Sequence, residues 1–314
     1  MISFLPTKPL LLLLNISVLI GLSSFPFKLL AAGLMPFVMG NAVTASSIHE
    51  ASNQVESVLK KNGFQVVGSY TPADNKNVIV VTNSHLQKLA TQSNNGGFGA
   101  MERIAVVANK GSFEVSYTNP RYMWNVYRMQ GDIAPVENAM EKALGYKSTF
   151  GAERGLSASD LRNYQYKMMM PYFDDEDELA VYSSHKAAVA NVEAGLKANR
   201  AQSHKVYRID IPGTEMSVFG VALSHGEAAD KFISHKIDGQ IASHAAHFPY
   251  EILINGKQVL ALNGKFRIAI NWPSLSMMGT GSFMSISGAP DHIKEALEAV
   301  ANNQPLEKDS DSLI

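Results

Sequence analysis

The sequence predicts an α+β protein made of two tandem copies of one unit, and three observations lead there. First, "SSIHEASNQVESVLKKN" (46–62) lies without gaps on "SSHKAAVANVEAGLKAN" (183–199), pairing Ala51 with Ala188, Val55 with Val192 and Leu59 with Leu196. Second, each of these stretches is followed by β-rich runs separated by turn residues. Third, "KGSFEVSYTNPRYMW" (110–124) aligns with "NGKFRIAINWPSLSMM" (263–278), placing Gly111 on Gly264, Phe113 on Phe266, Val115 on Ile268 and Pro120 on Pro273. On that alignment Glu114 faces Arg267, a charge reversal at one strand position.

The first 45 residues stand apart. "PLLLLLNISVLIGLSSFPF" is followed by Lys28 and then "LLAAGLMPFVMGNAVTA". Neither run supplies the roughly 20 clean apolar residues that cross a bilayer comfortably. The second has the look of a secretory core behind a basic residue, with small Val43 and Ala45 before the cut. Residues 1–45 are therefore expected to be a signal peptide cleaved after Ala45, or a membrane anchor with a tether through residues 10–40. Export to the periplasm follows from either reading, with the inner membrane as the site of any anchor.

The first repeat is assigned to 46–150. Ser46-Ser47 opens a helix by accepting a first-turn N–H, and "FQVVGSY" and "NVIVVTN" are strands around Pro72. "SHLQKLA" is a short helix, "ERIAVVA" and "SFEVSYT" are strands around "NKG", and "PVENAMEKALG" is a helix ended by Gly145. Residues 151–178 form a connector whose Ser157 and Asp160 begin a helix running to about Met169. In the second repeat, 179–303, a helix precedes "HKVYRIDI" and "MSVFGVAL", and "GEAADKFISHK" is helical. "YEILI" turns at Asn255-Gly256 into "KQVLALNGKFRIAIN", read as one long strand with a bulge at Asn263-Gly264, and "APDHIKEALEAVA" closes the copy. The polar tail at 304–314 has too little apolar area to fold.

These residues carry a resemblance. "YTNPRYMWNVYRM" and "HFPYEILINGKQVLALNGKFRIAINWP" resemble the bacterial domain of unknown function numbered three hundred and two, over roughly 46–145 and 180–303. The resemblance implies a curved antiparallel sheet with helices on one face, of β-α-β4-α type and akin to the TATA-binding-protein fold. It also implies pairing, so that two tandem copies form an internal pseudo-dimer, with a homodimer as the alternative. "GFGAMER" in copy one stands where copy two has "HFPYE", so a site at that corner would differ between the halves.

Composition narrows the function. With 27 basic residues against 28 acidic, no overall field gathers phosphate backbones, and nucleic acid is excluded as an expected partner. The absence of cysteine removes disulfides, thiolate metal sites and a cysteine nucleophile. "GGFGAME" lacks the third glycine of a dinucleotide loop, His49-Glu50 lacks a second histidine four residues on, and no Gly-x-Ser-x-Gly elbow occurs. "FDDEDE" lacks the spacing of a calcium loop. No motif requires a cofactor, and the sequence leans away from catalysis.

The expected function is non-catalytic binding of a small ligand or an envelope protein. Its candidate residues cluster at the strand-end corners: Trp124 and Arg128 in copy one, and His247, Tyr250, Glu251 and Arg267 in copy two. If Arg267 points into a concavity, Glu251 is its countercharge, and aromatic walls around the pair suit a small anionic or planar ligand. One alternative is a zinc or copper protein using His235, His244 and His247. The other is a structural assembly factor of the envelope, using the methionines of "KMMMPY" and "SMMGTGSFM" as core or as a pairing surface.

Overall fold

Four consecutive antiparallel strands frame each half. In the first, β2 (Gln65–Ala73), β3 (Lys76–Thr82), β4 (Glu102–Asn109) and β5 (Ser112–Thr118) are joined on the far side by β1 (Phe37–Met39) and β6 (Ser148–Phe150), in the order β2-β3-β4-β5-β1-β6. In the second, β8 (Ser203–Ile211), β9 (Met216–Leu223), β10 (Tyr250–Asn255) and β11 (Gln258–Ala261) are flanked by β7 (Asp177–Val181), in the order β8-β9-β10-β11-β7. Each half thus runs strand, helix, four strands, helix. The computed structural model describes residues 1–2, 33–238 and 242–306.

The helices recur in the same places. α1 (Ile48–Lys61) and α6 (His185–Lys197) follow the flanking strands, and α2 (Ser84–Thr91) and α7 (Asp230–Ile237) separate the two hairpins. α3 (Pro120–Val126) and α8 (Gly264–Ala269) follow the fourth strand, and α4 (Ala134–Leu144) and α9 (Ala289–Ala301) close the halves, with α5 (Ala158–Arg162) between them. Ser47 accepts from the Glu50 N–H and Ser184 from the Ala187 N–H, each at 3.2 Å. Ala51, Val55 and Leu59 are buried on α1, as Ala188, Val192 and Leu196 are on α6. Spacing of four puts each trio on one stripe, which the sheet covers. The Ser157–Asp160 capping box forms as expected.

The halves interlock. α2 packs on β8 and α7 on β2; the 3₁₀ turn Gly96–Gly99 reaches β9 and β10, while the 3₁₀ turn Ala245–His247 reaches β3, β4 and β5. Edge strands β2 and β8 approach so closely that a Cβ at Gly68 would lie 2.3 Å from the Val206 carbonyl oxygen, so only glycine fits there. The described residues from Gly33 onward form one compact unit, whose buried apolar side chains make a single contiguous core through both halves.

Four expectations change. Phe37 and Val38 are buried in β1 between β5 and β6, and Leu34 and Val43 bridge to Leu156 and Phe113. Cleavage after Ala45 would excise that strand, so the first sheet draws on residues before 46. A buried strand and a secretory core are both short apolar runs, and periodicity does not separate them. The rest of the expected signal or tether, residues 3–32, and the tail from 307 lie outside the described residues. Next, "KQVLALNGKFRIAIN" is not one strand: β11 stops at Ala261, and the Asn263 side chain accepts from the Lys265 N–H at 3.1 Å to start α8. The alternation of "FRIAI" is misleading because Phe266, Arg267, Ile268, Ala269 and Ile270 are all buried. The twin of β5 is therefore β11, and the Glu114–Arg267 equivalence falls. Third, α5 ends at Arg162 rather than near Met169. Fourth, the acidic end of the connector enters β7, which pairs with β11 from Asp177.

Candidate functional site at the seam between the halves

Two places where the halves meet carry chemistry: a sealed ionic centre and an open cavity. The centre is built on β4, β10 and α8. Arg103 and Glu251 are the second residues of β4 and β10, the third strands of their four-strand frames, and their side chains pair directly across the seam. Arg267, from α8, holds the other side of the carboxylate, with Nε donating to Glu251 Oε2 at 2.9 Å and Nη2 to Oε1 at 3.2 Å. All three side chains are at most 3% exposed.

Every nitrogen of the Arg267 guanidinium has a partner. Its Nη2 also donates to the carbonyls of His247 and Pro249, and its Nη1 lies 2.8 Å from His247 Nδ1. A guanidinium only donates, so Nδ1 accepts and the His247 proton sits on Nε2, 3.1 Å from the Tyr250 hydroxyl. Burial and the two arginine charges push His247 well below its ordinary pKa, in agreement with a neutral ring. Phe248, Tyr250 and Trp272 surround that ring at centroid distances of 4.8, 5.2 and 4.7 Å. The helix that carries Arg267 is tied down at its end, because the Tyr122 and Tyr164 hydroxyls donate to the carbonyls of Ile270 and Ala269 at 2.8 and 3.1 Å. Those carbonyls would otherwise be orphans of the last helical turn.

Burial alone would raise the Glu251 pKa, but Arg103 and Arg267 outweigh it and hold the carboxyl below its usual value. Glu251 in turn outweighs burial at Arg103 and Arg267 and raises both. The centre therefore holds two cations and one anion. The hydroxyls of Tyr127 and Tyr207 and the Nε of Arg103 are buried beside it with no hydrogen-bond partner among the described residues. Two further buried acids have no cation bonded to them among those residues. Asp230, which accepts from the Tyr70 hydroxyl at 2.9 Å and the Leu223 N–H at 3.3 Å, is pushed up to about 8 by burial. Glu102, which accepts from the Thr118 hydroxyl, is also raised to about 8 by burial.

The open cavity has a volume of about 500 Å³ and is lined by Thr71, Pro72, Ala73 and Asp74 of the first half and by Leu223, Ser224, Ala229, Lys231, Phe232 and His235 of the second. Lys231 and Asp74 form an exposed ion pair at 2.8 Å. Asp230 lies in sequence between the lining residues Ala229 and Lys231 but is itself buried behind the wall, where it accepts from the Leu223 N–H.

Of the residues expected at the site, His247, Tyr250, Glu251 and Arg267 do converge, but into a filled centre rather than a pocket. Trp124 lies elsewhere, under the Arg162 guanidinium at 5.1 Å and beside a cavity of only about 10 Å³ that Glu102 also lines. Arg128 pairs with Asp174 at 2.9 Å and donates to the Arg162 carbonyl at 2.9 Å. The three histidines do not form a metal site: His244 Nδ1 bonds the Asn271 carbonyl, both His247 nitrogens are engaged, and His235 is exposed on α7. Among the described residues no three His, Cys, Asp or Glu side chains form a metal-holding group. Sequence reasoning missed Arg103, Asp230 and Tyr207. The only available signal was Glu102-Arg103 opening an otherwise apolar strand. Comparison of the chain with protein-family models, with curated proteins and with solved structures finds no match.

Proposed function

We propose that the chain is a non-catalytic binding protein of the bacterial envelope, in which two diverged copies of one α+β unit form an internal pseudo-dimer and a small ligand sits in the cavity at their seam. The observation that carries this reading is the double origin of the cavity wall, with β2 on one side and the β9–α7 segment on the other. A volume of about 500 Å³ lies within the range of small-molecule sites. Phe232 offers an apolar face and Lys231 a cation now paired with Asp74, which suits a small amphipathic molecule whose anionic group takes the place of the Asp74 carboxylate.

The ionic centre supports the pseudo-dimer rather than a reaction. Identical copies would place identical charges at the second residue of β4 and β10, whereas here Arg103 meets Glu251. His247 and Glu251 are sealed and saturated by neighbouring donors and acceptors, so neither is placed to meet a substrate. The β-α-β4-α order of each half supports the resemblance to the domain of unknown function numbered three hundred and two. The test is a thermal-shift comparison in which the small-molecule fraction of a bacterial extract is added to the wild type, to Phe232→Ala and to Lys231→Ala. Both side chains are at the surface of the cavity, so folding should survive and the shift should disappear. Equal shifts in all three proteins would exclude this cavity as the binding site.

A further inference from the structure

We infer that the loops at 166–170 and 274–284 form a lipid-facing surface, seated on a bilayer interface beside the point where the apolar N-terminal segment joins the folded unit. Met168, Met169, Met277, Met278 and Met284 are exposed by 86%, 92%, 40%, 80% and 60%. Five methionines offered to solvent on a protein with this much core are not gap-fillers. They lie on adjoining loops. The Tyr166 hydroxyl bonds the Leu275 carbonyl, the Tyr166 and Phe283 rings are 5.1 Å apart, and the Met284 N–H donates to the Met277 carbonyl at 3.2 Å.

The choice of a bilayer as occupant comes from the chain itself. Residues 9–27 contain no charged side chain and are bounded by Lys8 and Lys28. Five residues, 28–32, separate that run from Gly33 and span at most roughly 18 Å even when fully extended. Gly33 packs against Gly155, Leu34 pairs with Leu156, and the neighbouring Glu153 N–H donates to Ser274 at 2.9 Å, where the methionine loop begins. An apolar run placed in a membrane would therefore hold these methionines within reach of the same surface. The charges agree: 274–284 has none, and 153–156 with 166–170 carries Arg154 and Lys167 against Glu153. Exposed basic residues bordering an apolar patch favour anionic headgroups while the methionines enter the acyl boundary.

The absence of cysteine makes the test clean. Single variants Met169→Cys, Met278→Cys and Met284→Cys, and a control Glu215→Cys on the exposed β8–β9 turn, carry a nitroxide label in the full chain reconstituted with phosphatidylethanolamine–phosphatidylglycerol vesicles. Power saturation then compares access of oxygen, which concentrates in lipid, with that of a water-soluble nickel chelate. The three methionine positions are expected to show an oxygen-to-nickel ratio raised severalfold over the control. Ratios equal to the control in vesicle-bound protein overturn the inference. So does a chain that stays in the aqueous fraction, or protection that appears without vesicles and grows with protein concentration, which would make the surface an interface between copies.

Discussion

Replacing Glu251 by glutamine tests the ionic centre most directly. Glu251 is the one anion between two buried guanidinium groups, and Arg267 and Arg103 touch opposite sides of its carboxylate. The amide keeps the shape and one acceptor, but leaves two cations at most 1% exposed with nothing to neutralise them. Breaking a buried ion pair by removing one partner costs about 3–5 kcal/mol. At about 2–4 °C of melting temperature per kcal/mol, the transition should fall by roughly 6–20 °C. The two arginines should not cost the same. Arg103→Met leaves a complete Arg267–Glu251 pair, whereas Arg267→Met also strips the His247 and Pro249 carbonyls and His247 Nδ1 of their donor. Melting followed by circular dichroism should rank the losses Glu251→Gln, then Arg267→Met, then Arg103→Met. The triple replacement Arg103→Met, Glu251→Leu, Arg267→Met should lose less than Glu251→Gln alone, since apolar groups of similar volume can replace a buried triad without cost. A loss below about 1 kcal/mol for Glu251→Gln would mean the charges are not desolvated, and the reasoning would fail.

Further outcomes follow from other parts of the fold. Asp230 and Glu102 are raised to about 8, so between pH 4 and 8 the unfolded chain releases protons that the folded one keeps. These groups therefore make stability fall as pH rises across that window; Asp230→Asn and Glu102→Gln should flatten the slope in urea titrations and be the more stable proteins at pH 9. Glu251 acts in the opposite sense: its lowered pKa gives stability that is complete above the ordinary carboxylate range and disappears as pH drops through the folded value, so acid unfolding of Glu251→Gln should lose that component. Phe37→Ala, in the strand between β5 and β6, should cost about 3–5 kcal/mol, and N-terminal sequencing of the mature protein should never find a start at Ser46. Asn263→Ala, which removes the α8 cap, should cost about 1 kcal/mol without disturbing β11.

The helices and their repeat were legible because local chemistry decides them. A serine cap followed by apolar residues four apart reads the same in Ser47–Leu59 and Ser184–Leu196, whatever packs on top. The Asn255-Gly256 turn was legible for the same reason, since Gly256 has φ 59° and the flanking residues pair as a hairpin. The second Asn-Gly pair shows where that logic stops. Asn263 serves as a helix cap and Gly264 approaches Pro290 so closely that a Cβ would lie 2.8 Å from its Cα, a demand set by α9 and invisible in the local sequence. The site failed in a similar way. Glu251 and Arg267 could be paired from sequence because they lie 16 residues apart in one half, but Arg103 joins Glu251 from 148 residues away through the docking of the two halves. No local pattern encodes a contact of that kind.

If the two halves are the diverged copies proposed above, that distant contact also explains what joining them in one chain makes available. A symmetric pair of identical units meeting at their third strands must place the same side chain on both sides of the axis, and two arginines or two glutamates there would repel in a low-dielectric seam. Linking the units in one chain lets the two positions diverge, so that Arg103 and Glu251 attract and a second cation can be supplied from one half alone, by Arg267 on α8. The same asymmetry reaches the open cavity, where the first half provides Asp74 and the second provides Lys231 and Phe232. A charge-swapped chain, Arg103→Glu with Glu251→Arg, separates attraction between halves from the local needs of each. Exchange keeps the cross-seam pair but sets the guanidinium introduced on β10 against that of Arg267, so the swapped chain should unfold more readily than wild type; adding Arg267→Glu should recover much of the loss, as read by melting temperature. Recovery without the third change would show that the cross-seam pair alone holds the halves together and that Arg267 is dispensable to the centre.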